Sequence, residues 1–113
     1  MTLLNRLVQD GIAIGVITYM EVYEGIVRDS EPQEAQRRFS RFLAGVPVLP
    51  LSNEVAESCA RLRHRLRGEG RRVNARALDL LNAGTALHFG LTFVTRNVDD
   101  YQDVPELQLY RPA

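Results

Sequence analysis

Residues 79–103 read DLLNAGTALHFGLTFVTRNVDDYQD, and this stretch decides the fold. It predicts a helix with a carboxylate, Asp79, near its start, closed by a turn at Gly90. A short apolar strand, Leu91–Val94, follows and breaks into the polar loop Thr95-Arg96-Asn97, with Asp99, Asp100 and Asp103 behind it. In an α/β protein, a strand that ends in polar and acidic residues beside an acidic helix is a means of building a metal or phosphate site.

Working outward, Leu107–Tyr110 predicts a last short extended piece. Upstream, Arg71–Arg76 is a basic loop, and Gly68-Glu69-Gly70 breaks the helix before it. That helix carries Val55, Cys59, Leu62 and Leu66 on its inner face, at intervals of four, three and four. Arg61, Arg63, Arg65 and Arg67 lie on its other face, and Ser52 or Asn53 caps it. Val46–Leu51, with Val48, Leu49 and Leu51 among the prolines Pro47 and Pro50, predicts a short strand at a sheet edge. Ser30-Glu31-Pro32 reads as the N-cap of a helix running to about Ala44, with Phe39, Phe42 and Leu43 as its apolar stripe. Thr18 and Glu21 form a T-x-x-E capping-box pattern, opening a helix through Tyr19, Val22, Tyr23 and Ile26. The β-branched run Ile12–Ile17 predicts a strand. Leu3, Leu4, Leu7 and Val8 fall at helical spacing, closed by Gly11.

Helix and strand alternate from residue 12 onward, which predicts an α/β fold with a parallel sheet and helices on both faces. Ligands of such sheets bind at the carboxyl ends of the strands. Glu21 follows the first strand, and Asn97, Asp99 and Asp100 follow the strand at 91–94, so both sets are expected on one rim. At 113 residues the chain is expected to form a single domain, with no internal repeat or low-complexity segment.

No apolar run approaches the roughly 20 residues that span a bilayer, so no membrane is expected. The N-terminus lacks a basic start followed by an apolar block, so a cytoplasmic protein is expected. The single Cys59 agrees with a reducing compartment. Net charge is zero, but its distribution is uneven. All fourteen basic residues are Arg, and seven of them fall between Arg61 and Arg76 against one acid, Glu69. This cluster is either a solvated helix face with a basic loop or a surface that steers nucleic acid. The absence of Lys fits a GC-rich genome equally well.

The acidic candidates are Glu21, Asp79, Asp99, Asp100 and Asp103. Carboxylates gathered on one rim, with no His or Cys cluster, suit a hard cation such as Mg²⁺ or Mn²⁺. A metal so held activates water and stabilises phosphate charge during in-line displacement. Each acid also has a local explanation. Glu21 completes the capping box, Asp79 suits a helix N-terminus, and the loop acids suit solvent. His64 and His88, on separate helices, read as structural. Tyr19, Tyr23, Phe39 and Phe42 read as core or interface packing.

Two segments carry a resemblance. ITYMEVYEG, from Ile17 to Gly25, resembles the ITxxELxxG segment of PIN-domain proteins, specifically toxin ribonucleases of the VapC type. DLLNAGTALHFGLTFVTRNVDDY, from Asp79 to Tyr101, resembles that family's DLLIAATALxxGLxLVTRNxxDF segment, and the Val104-Pro105-x-Leu107 ending also matches. The resemblance runs from about residue 3 to 110. It implies a three-layer α/β/α fold and a metal-dependent endoribonuclease of a toxin–antitoxin system, cutting RNA at a carboxylate-held Mg²⁺ or Mn²⁺ site. By position it implies Glu21, Asp79 and Asp100 as metal ligands, Asn97 as a neutral partner, and Thr95 bonding to the site from the strand end. Arg71, Arg72, Arg76 and Arg96 are the RNA-contacting candidates. The resemblance also implies an antitoxin partner and a homodimer.

One part of the family pattern has no match. The family's first acid lies in a strand of the form LLDTNVL, and nothing in Met1–Gly11 corresponds to it. The expectation is therefore an N-terminally truncated PIN-like domain with one acid fewer and weakened metal binding and cleavage. The alternative is a non-catalytic PIN-like module that binds RNA or an antitoxin, or dimerises.

Overall fold

A computed structural model describes residues 12–95 and 97–110, so the expected helix over residues 2–9 lies outside the described residues. The chain divides into two compact units, the first ending at Pro50 and the second starting at Leu51.

In the first unit, β1 (Ile14–Gly15) pairs in parallel with β2 (Val48–Leu49). Ile14 lies opposite Val48 and Gly15 opposite Leu49, and the Ile14 N–H donates to the Pro47 carbonyl at 3.0 Å. Two helices separate the strands, α1 (Val16–Arg28) and α2 (Pro32–Leu43). This is the helix–strand alternation expected of an α/β chain. The first strand is shorter than Ile12–Ile17, because α1 begins at Val16 directly after an extended Gly15. Packing outweighs the β preference of Val16 and Ile17. The rings of Tyr19 and Phe39 meet at 5.3 Å, with Tyr23 and Phe42 stacked beyond them at 6.0 and 6.4 Å, and Ile26 and Ala35 are buried.

The early start of α1 also removes the expected capping box. Thr18 is the third helical residue and no side chain caps the helix. Glu21 therefore stands one turn inside α1, exposed, with no hydrogen bond or ion pair among the described residues. The cap of α2 falls at Glu31, within the expected Ser30-Glu31-Pro32, with Pro32 as the first helical residue and no side chain capping it. The Glu31 N–H donates instead to Asp29 Oδ1 at 2.8 Å.

The second unit starts with α3 (Asn53–Gly68), where Ser52 Oγ accepts the Val55 N–H at 3.2 Å. Val55, Cys59, Leu62 and Leu66 are all buried, as their spacing requires. The left-handed Gly70 (φ +74°) turns the chain away. Next comes α4 (Ala77–Phe89), ended by left-handed Gly90 (φ +65°), with the Leu91 N–H reaching back to the Ala86 carbonyl at 2.9 Å. The expected strand Leu91–Val94 narrows to one parallel bridge, Phe93 to Leu109. It is held by Phe93 N–H to Gln108 O at 2.7 Å and Tyr110 N–H to Phe93 O at 2.8 Å. Leu62, Leu66, Val73, Leu80, Ala83, Tyr101 and Val104 form the core of this unit.

Two features hold α3 close to α4. Cys59 Sγ donates weakly to the Leu81 carbonyl at 3.7 Å, and Gly84 leaves no room above Cys59. A Cβ on Gly84 would run into Cys59 Sγ and would lie 3.2 Å from its Cα. Gly84→Ala therefore sets two effects against each other. Helix propensity favours alanine by up to about 1 kcal/mol. Overpacking against backbone costs about 1–3 kcal/mol. The expected net result is a loss of about 1–2 kcal/mol in urea unfolding; a stabilised variant would contradict the tight contact.

Candidate functional site

In the C-terminal unit Asp103 pairs with Arg76, and Asp79 and Asp100 lie within electrostatic reach of the same cation. Arg76 is the residue before α4, and the preceding Ala75 adopts a left-handed backbone (φ +65°). The Arg76 side chain is 8% exposed and its guanidinium makes four hydrogen bonds. Nη1 donates to Asp103 Oδ2 at 2.8 Å and to the Arg72 carbonyl at 2.7 Å. Nη2 donates to Asp103 Oδ1 at 2.9 Å and to the Asp100 carbonyl at 2.9 Å. This is the fork-to-fork geometry that makes arginine–carboxylate pairs strong.

Arg76 was expected among the RNA-contacting arginines. The structure corrects this, because its guanidinium is buried and committed to Asp103 and two carbonyls. A cation at a helix N-terminus is disfavoured by the helix dipole, so it calls for a nearby carboxylate. That was the sequence signal for this pair, but it does not say which acid answers it. Asp103 lies 27 residues on. Its carboxyl is held below the ordinary value of 3.8 chiefly by the hydrogen bond from Arg76, against burial, which pushes it up.

Asp103 is therefore spent, whereas Asp79 and Asp100 are not. Asp79 stands exposed in the first turn of α4, with no hydrogen-bond or ion-pair partner among the described residues. Asp100 sits in a single-turn 3₁₀ helix, Val98–Tyr101, its amide donating to the Asn97 carbonyl at 3.0 Å and its carboxylate unpartnered among the described residues. Both carboxylates lie in electrostatic reach of Arg76 and, after Asp103, strengthen its hold on its proton. Asp99 instead accepts a hydrogen bond from Gln102 Nε2 at 3.1 Å. Each unspent acid is followed by a core residue, Leu80 after Asp79 and Tyr101 after Asp100. The backbone under each carboxylate is thereby anchored.

Thr95 Oγ1 accepts the Asn97 N–H at 3.1 Å, which shapes the loop leading to Asp100. Asn97 itself is exposed, as are Arg71 and Arg72. Arg96 lies outside the described residues. Glu21 is placed in the N-terminal unit. His88 Nδ1 and Ser58 Oγ are 3.0 Å apart. The Cys59 thiol is buried, and burial pushes its pKa up, which leaves it inert.

Among the described residues no three His, Cys, Asp or Glu side chains come together as a metal cage. The donor set still fits one kind of ion. Mg²⁺ keeps several waters and is bound through one or two carboxylates plus substrate phosphates. Asp79 and Asp100 provide oxygen donors not used elsewhere among the described residues, on a framework fixed by Arg76.

Among the described residues, no helix is long and apolar enough to cross a membrane. A family model for the PIN domain matches residues 1–107. VapBC2 from Rickettsia felis, crystallised bound to a DNA fragment from its promoter, is similar with a TM-score of 0.80 and 26% identity, over 95% of this chain and 80% of that one. VapBC-5 from Mycobacterium tuberculosis, a member of the VapBC family of toxin–antitoxin systems, gives 0.72 and 25%, over 91% and 83%. DNA-bound VapBC from Salmonella typhimurium shares the fold with a TM-score of 0.82 at 24% identity, over 94% and 80%. No curated protein sequence matches the chain.

Proposed function

The chain belongs to the PIN domain family, and from that premise we propose that it is the toxin of a VapBC-type pair, a metal-dependent endoribonuclease. The observation that carries this reading is the pair of carboxylates, Asp79 and Asp100, unpartnered among the described residues and both within electrostatic reach of Arg76. These two carboxylates would hold Mg²⁺ or Mn²⁺. When bound, such an ion supplies an activated water and charge stabilisation at the phosphate. Thr95 fixes the loop that carries Asn97 and Asp100. Arg71 and Arg72, exposed beside the buried Arg76, are free to meet the RNA backbone, where neutralising phosphate charge supplies most of the affinity.

The exposed apolar residues Val16, Met20, Val22 and Val27 on α1 support a protein partner, an antitoxin or a second copy of the chain. A non-catalytic RNA- or antitoxin-binding module is the second reading. It is favoured by the lack of a three-acid group among the described residues.

Cleavage of a labelled RNA in Mg²⁺ or Mn²⁺, with a chelator control, separates the two. Asp79→Asn and Asp100→Asn should each lower metal-dependent cleavage by about 100-fold, the upper end of what losing even an outer partner of a metal site costs. Absence of metal-dependent cleavage by the unaltered chain, with RNA still bound, would establish the second reading.

A further inference from the structure

We propose that Arg76 is a positioning residue that fixes Asp100 relative to Asp79, with Asp103 serving to hold Arg76 in place. The inference rests on the reading of Asp79 and Asp100 as metal-holding carboxylates. Asp100 lies in a single turn of 3₁₀ helix, an element with little stability of its own. Its backbone carbonyl is gripped by Arg76 Nη2 at 2.9 Å. The same guanidinium grips the Arg72 carbonyl, one turn before α4, and both oxygens of Asp103. The loop at 98–103 and the start of α4 are thus fastened through one rigid planar group. Asp79 lies three residues beyond that group along α4, and both carboxylates stand in its electric field.

The chemistry of the fastener matters as much as its presence. Guanidinium offers two parallel donors for Asp103 and further donors for carbonyls, whereas a lysine ammonium is a single point. Arg76→Lys keeps the charge but cannot span Asp103, Arg72 O and Asp100 O together. Arg76→Met with Asp103→Leu removes both charges, an exchange that folded proteins often tolerate. That double variant is expected to fold while leaving the Asp100 carbonyl unheld.

The test is Mn²⁺ binding to the full chain by titration calorimetry, with thermal unfolding as a control for folding. The unaltered chain should bind Mn²⁺, and Asp79→Asn and Asp100→Asn should each abolish binding. Arg76→Lys should weaken it several-fold, and the double variant about tenfold or more at an unfolding midpoint near that of the unaltered chain. Unchanged Mn²⁺ affinity in the folded double variant overturns the positioning role alone. If a variant does not fold, ¹⁵N side-chain spectra of the unaltered chain decide. Mg²⁺ should shift the Arg76 resonance and leave Arg37 and Arg41, which pair with Glu34 on α2, unmoved. An Arg76 resonance that stays in place at saturating Mg²⁺ overturns the proposal. An unaltered chain that binds no Mn²⁺, or whose Asp79 and Asp100 variants bind it equally, overturns the metal-site reading and the positioning role with it.

Discussion

Arg76→Met alone is expected to lower the unfolding free energy by about 3–5 kcal/mol at neutral pH. The Asp103 side chain is 22% exposed and its two oxygens face the guanidinium. Removing the cation leaves a partly buried carboxylate with only the weaker field of Arg71 and takes a donor from the carbonyls of Arg72 and Asp100. Desolvation without compensation is the costly event, not the loss of an attraction. That is why the single substitution should be far worse than Arg76→Met with Asp103→Leu. A chemical-denaturation comparison in which the double variant is no more stable than the single one would refute this account.

Acid supplies a second check, and its sign is fixed. The folded-state pKa of Asp103 is lowered below its ordinary value of 3.8. A carboxyl so shifted contributes stability that is fully present above the unfolded value and is lost as pH falls through the folded one. Arg76→Met removes that contribution, so its deficit should be largest near pH 7. The gap should begin to shrink below the unfolded value of 3.8 and close as pH falls through the lowered folded value of Asp103. A deficit equal at pH 7 and pH 3 would locate the cost elsewhere.

Local and periodic features were legible in the sequence, and features set by distant partners were not. The α3 stripe Val55, Cys59, Leu62 and Leu66 and the Ser52 cap are written in spacings of three or four residues, and both are in place. The Thr18–Glu21 pattern failed because the same i, i+3 spacing occurs inside any helix. Near the start of α1, Tyr19 packs instead against Phe39, twenty residues away in sequence. Arg76 illustrates the same limit at the site. Beside Arg71 and Arg72 it reads as one more surface cation. Only the return of the chain at Asp103 and the left-handed backbone at Ala75 turn it inward. Asp79 and Asp100 were legible as candidates because one opens a helix and the other follows a strand end within the segment that resembles the PIN family, but that Arg76 links them was not.

Leu80→Ala is expected to be comparably severe, and it bears on the site as well as the fold. Leu80 has no exposed surface and lies in the cluster that contains Leu66, Tyr101 and Val104. Truncating a fully buried leucine costs about 3–5 kcal/mol, the larger figures applying where the surroundings cannot close the cavity. Here closure is resisted on two sides. Tyr101 is held edge-on to Phe93 at 4.8 Å, and α4 is held to α3 by the Gly84–Cys59 contact. The unfolding midpoint should accordingly fall by about 10 °C or more. The cavity would also lie under the peptide that carries Asp79 and against the ring that follows Asp100. Mn²⁺ affinity should therefore drop along with stability. Leu66→Ala serves as the control, since Leu66 is equally buried in the same cluster but adjoins neither acid in sequence. It should cost similar stability with a smaller effect on Mn²⁺ binding. Equal losses of Mn²⁺ affinity in both variants would mean that the two carboxylates depend on the core as a whole rather than on the residues directly beneath them.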